Sequence, residues 1–191
     1  MPNKGGRPRS FDRDLAVETA MRLFRRHGYE GVSLAMLTQA INVAPPSLYA
    51  AFGSKAGLYR ETLDRYSERV SLSLIEGNDP HFTLDQAVTG LLDRAILLVA
   101  GRPDERGCMI STGLLGCHPD HEDLAEELRT RRAALARRLA DELGRWLPRD
   151  RCAAMAAFLC AVLQGLAVQA NDGAPLAKLQ MIAATARRCV S

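Results

Sequence analysis

SLAMLTQAINVAPPSLYAAFGSK, running from Ser33 to Lys55, is the stretch on which the fold turns. Ser33 is a good helix N-cap, because its hydroxyl accepts an orphan backbone N–H two or three residues on. Leu34, Leu37 and Ile41 then fall on one helical face. Asn42 sits where a tight turn needs a left-handed residue, and Val43 is placed to plug the gap between two crossing helices. Pro45 and Pro46 suit a helix entry, where a missing N–H is no loss. Leu48 and Phe52 are i,i+4 partners that face a core. Ser47, Tyr49, Ala50 and the proline edge are left pointing outward. Gly53 ends this second helix, Ser54 caps the next, and Lys55 puts a charge beside the exposed face. Two short helices joined by a tight turn form a helix-turn-helix, the geometry that lays a second helix into a DNA major groove.

Working outward, Leu15, Ala16, Thr19, Ala20, Leu23 and Phe24 form an apolar stripe over 12–27, and Gly28 is placed as its C-terminal cap. Ahead of it lies Lys4-Gly-Gly-Arg-Pro-Arg9, a basic, glycine-loosened arm suited to a phosphate backbone or a minor groove. Residues 1–55 carry eight Lys/Arg against four acids, a net of +4, while the remainder is close to neutral. That asymmetry suggests a polyanion partner for the first part. Arg22, Arg25 and Arg26 are read as solvating a helix face.

Gly6-Arg7-Pro8-Arg9, the Ala20…Phe24…Gly28-Tyr29…Ser33 run and Pro46-Ser47-Leu48-Tyr49…Phe52…Lys55…Leu58 together resemble the DNA-binding domain of the tetracycline-repressor (TetR) family. The family more often has glycine where this chain has Asn42. The resemblance implies phosphate contacts from Tyr49 and Lys55, with Ala44, Pro45, Pro46 and Ser47 nearest the bases. Prolines and alanine offer only apolar contact there, for instance to a thymine methyl. Polar readout is then expected from Ser47, Ser33 and the arm residues Arg7 and Arg9.

Beyond Leu58 the helical pattern runs through Leu63, Tyr66, Val70 and Leu74 to Gly77-Asn78-Asp79-Pro80. Thr83 opens a helix to about Ala100, Glu105 to Cys117 is a short apolar segment, and a long charged helix ends at Gly144. The last two helices span about 150–171 and 175–190. With sparse β-branched residues and no period-two alternation, the fold class is all-α, with about nine helices. Residues 1–56 are expected to form a three-helix, helix-turn-helix DNA-binding domain. Residues 57–191 are expected to form a helical domain for ligand binding and dimerisation.

Ala153 to Ala170 holds 18 residues without a charge. Gln164, Gly165 and Gln169 interrupt it, and a helix apolar all round is more often buried in a core or interface than in lipid. No membrane span and no secretory leader are therefore expected, and the location is read as cytoplasmic. Packed with the final helix, this one would form a four-helix bundle with a second copy. The family dimerises in that way by resemblance. The resemblance also implies a small-molecule effector in a cavity, for which Tyr66, Val70, Leu92, Ile96, Met109, Thr112, Leu115 and Phe158 are the candidate lining.

Cys108, Cys117, Cys152, Cys160 and Cys189 show no CxxC and are expected as reduced, buried thiols. Cys117-His118-Pro119-Asp120-His121-Glu122 gathers metal-type ligands. The proline and the first-turn acids explain the segment as a helix start, so no metal is assigned. No Ser-His-Asp set, phosphate loop or paired carboxylate motif marks an enzyme, and no cofactor is implied. The expected function is a ligand-responsive regulator, a repressor released from a pseudo-palindromic double-stranded DNA operator. The alternatives are a redox or metal sensor of the same fold, through Cys108/Cys117 or His118/His121, and a small-molecule binder or enzyme without operator binding.

Overall fold

Side-chain caps set where three of the first four helices begin. In the computed structural model, which describes residues 12–70, 81–101 and 105–190, Asp12 accepts the Leu15 N–H and opens α1 (Arg13–Gly31). Ser33 accepts the Met36 N–H at 3.1 Å and opens α2 (Leu34–Ile41). Ala44 supplies no side-chain cap, and α3 (Pro45–Phe52) starts on its two prolines. Ser54 accepts the Gly57 N–H at 3.0 Å and opens α4 (Lys55–Arg69). Three bends here use positive φ, one of them Gly53 (φ 72°) at the end of α3. Gly28 (φ 69°) breaks α1 before a last turn, and Asn42 (φ 60°, ψ 51°) ends α2 in the left-handed conformation its sequence position asks for.

The remaining helices are α5 (Leu84–Val99), opened by a Thr83–Gln86 capping box, and α6 (Met109–Thr112). A 3-10 turn (Pro119–His121) leads into α7 (Glu122–Leu143), followed by α8 (Arg149–Asn171) and α9 (Leu176–Arg188). All regular structure among the described residues is helical, as expected. One boundary moves. The apolar pattern through Val70 and Leu74 predicts a longer fourth helix, but α4 stops at Arg69 and Val70 leaves helical geometry (φ −100°, ψ 57°). Leu74, and the arm with Arg7 and Arg9, lie outside the described residues.

A single apolar core runs from Ala16 to Val190. Leu37, Leu48, Leu58 and Leu63 are fully buried, each contributing about 1.5–3 kcal/mol relative to exposure. α4 is the shared element: it packs against α1, α3 and α6. The expected division at 56/57 therefore falls within the first turn of a continuous helix. The α3–α4 corner is tight. A Cβ on Gly57 would lie 2.1 Å from the Phe52 carbonyl oxygen, so the close approach requires glycine.

The reading of three arginines as solvated is corrected at one position. Arg22 and Arg26 are exposed, but the Arg25 side chain is only 11% exposed. Its Nη2 donates to the carbonyls of Leu98 (3.3 Å), Gly107 (3.3 Å) and Glu105, and its guanidinium lies 5.6 Å from the Tyr66 ring centre. The physical reason is the end of α5, whose last carbonyls lack intrahelical partners and recruit a donor from another helix. α1 is thereby tied to the α5–α6 connection. Surface pairs add further ties: Arg60 reaches Glu127 and Asp123 on α7, and Arg65 and Arg69 reach Glu18 on α1.

Candidate nucleic-acid interface

α3 presents two opposite faces. Leu48 and Phe52 point into the core, while Ala44, Pro45, Pro46, Ser47, Tyr49 and Ala50 are all exposed. Tyr49 keeps 48% of its surface in solvent, a large fraction for an aromatic side chain. The helix is braced from below. The Arg13 guanidinium sits 4.5 Å from the Phe52 ring centre, donates to the Ala51 carbonyl at 2.6 Å and pairs with Glu61 of α4. That contact satisfies a carbonyl in the last turn of α3 and holds the helix against α1 and α4. Ser33 is exposed, and its hydroxyl oxygen accepts the α2 cap bond while its O–H can still donate.

Lys55 stands beside this face on a half-buried stem, its ammonium 4.2 Å from the Tyr29 ring centre. Burial holds its pKa below the usual lysine value, and the Glu30 carboxylate pulls the other way. Tyr29 in turn packs on Tyr59, with centroids 4.9 Å apart, and edge-on against His121. Its phenol is pushed up, chiefly by burial. Glu30 accepts the His118 N–H at 2.8 Å and lies 4.0 Å from His121 Nε2. The Cys117–Glu122 segment thus contacts the end of α1 beneath Lys55. His118 is engaged as a cap, its Nδ1 accepting the Asp120 N–H, and its ring is 6.3 Å from that of His121.

The candidate ligand residues scatter. Val70 lines a partly open cavity of about 260 Å³ bordered by α4, α5, α6, α7 and α8. Leu92 lines a different cleft between α5 and α9, and Met109 and Thr112 line one beside Arg25 and Tyr59. Tyr66 and Ile96 are core residues. Leu115 is 67% exposed and Phe158 lies on the outer face of α8, so neither reaches the interior with Val70. The cavity is instead completed by Ser67, Leu98, Val99, Cys108, Ser111, Arg131, Leu135, Arg138 and Leu163, among others. Local sequence gives no sign of this set, because five helices contribute one or a few residues each. The cysteines are all free thiols, and Cys189 is exposed rather than buried as expected.

α8 has an outer face of its own. Ala154, Ala157, Phe158, Ala161, Gly165 and Val168 are exposed, on a helix long and apolar enough to cross a bilayer whose inner face packs on α5, α6, α7 and α9.

Comparison with known proteins agrees with this geometry. Residues 16–62 match the model for bacterial regulatory proteins of the tetR family. The chain is 35% identical to the transcriptional repressor ComR of Escherichia coli, over 96% of this chain and 90% of that protein. It is 31% identical to the E. coli repressor BdcR, over 97% and 92%. A solved structure of a CifR cysteine mutant, a TetR family regulator complexed with 26-base-pair double-strand operator DNA, superposes with a TM-score of 0.86. Its identity is 34%, with 97% of this chain and all of that one covered. A helix-turn-helix with an exposed second helix, set in a fold shared from end to end with these proteins, places the chain in the TetR family of DNA-binding transcriptional regulators.

Proposed function

We propose that the chain is a dimeric repressor that reads a pseudo-palindromic operator with α3 and leaves it when a small molecule occupies the α4–α8 cavity. The observation that carries the reading is the outer face of α3. Ser47, Tyr49 and Ala50 are exposed over a locked Leu48–Phe52 underside, with Lys55 at the edge. In this reading Tyr49 and Lys55 hold phosphates, while Ala44, Pro45, Pro46 and Ser47 approach base edges. Ser33 and the arm arginines Arg7 and Arg9 supply further polar contacts. The DNA complex of CifR, similar over nearly the whole chain, supports it. A DNA reader of this kind works in the bacterial cytoplasm.

The outer stripe of α8 with the exposed face of α9 (Leu176, Met181, Ala184) is the proposed dimer surface. It is apolar and small-residued, and two copies would close it as a four-helix bundle. A two-fold pair sets two α3 helices about one DNA turn apart, ~34–36 Å. Two ties support ligand response. α4 runs from Lys55 at the DNA face to Ser67 and Val70 at the cavity, about 20 Å at 1.5 Å per residue. Arg25 of α1 donates to the carbonyl of Leu98, a cavity-wall residue. A ligand that favours one arrangement of these helices shifts the population of head positions.

The test is selection of bound sequences from random DNA by the purified protein, with affinity then measured against salt. An inverted repeat and a steep negative log–log slope are expected. A pool without an inverted repeat, or binding indifferent to salt, overturns the operator reading.

A further inference from the structure

We infer that the α4–α8 cavity takes a neutral aliphatic molecule with one acceptor oxygen, such as a medium-chain ketone, and that the Tyr66 hydroxyl reads that oxygen. The inference rests on the ligand-responsive reading above and names the chemistry of its ligand. The size limit comes from volume. An apolar cavity of about 150 Å³ holds benzene, some 25 Å³ per heavy atom. At about 260 Å³ this one holds roughly ten heavy atoms.

The body of the ligand is set by the walls. Val70, Ala95, Leu98, Val99, Leu135 and Leu163 are aliphatic, and no aromatic ring is in the lining among the described residues. A flat polycyclic molecule has nothing to stack on, and a quaternary or protonated amine meets no ring face. Charge is disfavoured by the two arginines of the lining. Arg131 pairs with Asp64 and donates to Ser67 Oγ at 3.0 Å, and Arg138 has a partner of its own. An anion would have to displace those partners. A cation would meet two guanidinium groups, with no carboxylate in the lining among the described residues.

The spare polar group lies one residue before Ser67. Tyr66 is 2% exposed, and its hydroxyl has no hydrogen-bond partner among the described residues. The Cys108 thiol and the Met109 backbone are near neighbours, yet neither meets it in hydrogen-bond geometry. Burial first, then Cys108, pushes its pKa well up, so it stays a neutral O–H donor. Cys108 is itself part of the cavity wall, and the Tyr66 ring lines an adjoining cleft that shares Val70 and Leu98 with the cavity. The hydroxyl therefore stands between the two spaces. Ser67 is less suited to the part, because its hydroxyl already donates to the Leu63 carbonyl at 2.7 Å. A buried donor left unpaired is costly, and a ligand oxygen beside Cys108 satisfies it. A carbonyl or ether oxygen there only accepts, as the Tyr66 O–H requires, while the chain fills the space toward Leu163 and Val99.

The experiment titrates the full-length protein calorimetrically with nonan-2-one, octanoate and octylamine, probes of about ten heavy atoms that differ in head group. Release of the selected DNA is followed in parallel by fluorescence anisotropy. Nonan-2-one is expected to bind at least about tenfold tighter than either charged probe. Tyr66→Phe is expected to weaken nonan-2-one about tenfold and to leave the denaturation midpoint unchanged or raised, because the hydroxyl has no partner to lose. Ala95→Leu fills the cavity from a buried wall position, and Ala134→Trp does so from the exposed rim. Each is expected to abolish binding of nonan-2-one. No binding of nonan-2-one, or equal or tighter binding of octanoate or octylamine, overturns the neutral class. If a charged probe then releases DNA, the ligand-responsive reading survives the loss. Undiminished nonan-2-one binding by Tyr66→Phe, or a lowered midpoint, overturns the part given to the hydroxyl. Undiminished binding by both filling variants overturns the site. Binding of nonan-2-one that leaves the DNA complex intact upholds the site and overturns the ligand-responsive reading instead.

Discussion

α3 and α8 are both helices with one buried and one exposed face, and the exposed faces have opposite chemistry. On α3 the exposed side is short, carries a phenol and a hydroxyl, and has a lysine at its edge. On α8 it runs over four turns of alanine, glycine, Phe158 and Val168 with no charge between Ala153 and Ala170. Exposure alone therefore says little about a partner. A polyanion needs donors and few carboxylates nearby, whereas a second apolar helix needs small side chains that allow close approach. In the proposed reading, the contrast means that one fold keeps two open faces for two different occupants.

The strongest way to break the contrast is to charge α8. Ala161→Glu with Gly165→Glu puts like charges on exposed positions where the core is not disturbed. The expected result is a monomer by light scattering and a loss of operator affinity of about 100-fold or more, since two linked heads bind by avidity. A dimer of unchanged affinity would falsify the assignment of this face.

The next effect is on the rigidity of the DNA face. Gly57→Ala forces a Cβ onto the Phe52 carbonyl oxygen at the end of α3. Overpacking of this kind costs about 2 kcal/mol, read as a lower midpoint in chemical denaturation. Gly165→Ala, where a Cβ meets nothing within 4 Å, is the control and should leave the midpoint unchanged or slightly raised. Equal midpoints for the two variants would mean that the α3–α4 corner relaxes freely.

Legibility in the sequence followed the same division between local and distant chemistry. Ser33, Asn42, the proline pair, Gly53 and Ser54 act on neighbours within four residues, so α2, α3 and the start of α4 could be read directly. The helix start at Thr83 was equally local. Arg25 was misread because its partners, Leu98, Glu105 and Gly107, are more than seventy residues away. Nothing in an RRH tripeptide tells a solvated arginine from one that caps a distant helix end. The lining of the cavity escaped for a related reason. Val70 lines it, but Leu115 and Phe158 have the apolar character of a lining and lie outside. Which side of a helix is covered depends on the helices that pack on it.

Smaller effects probe α3 itself. Tyr49→Ala and Lys55→Ala are each expected to weaken binding about tenfold to thirtyfold, roughly 1.4–2 kcal/mol, the lower part of what a hydrogen bond to a charged group contributes. The loss should be alike for selected and scrambled DNA, because phosphates carry no sequence. Lys55→Ala should also flatten the salt slope by about one counterion. Ser47→Ala should act differently, with a loss confined to the selected sequence. If Ser47→Ala weakened both DNAs equally, Ser47 would belong with the phosphate contacts.

The smallest effect is a pH dependence, and it tests the setting of Lys55 beneath the DNA face. Burial lowers the Lys55 pKa in the free protein, and a phosphate partner raises it in the complex. The contribution of Lys55 to affinity is then complete below its free-protein pKa and is lost as pH rises through the value in the complex. Affinity should begin to fall at a lower pH than an ordinary lysine allows. Tyr29 does not confuse the measurement, since its own pKa is pushed up and its ring stays neutral where affinity begins to fall. Lys55→Arg keeps its charge throughout and should give a flat profile with the same salt slope. A wild-type profile as flat as that of the arginine variant would mean that the Lys55 charge does not face the DNA.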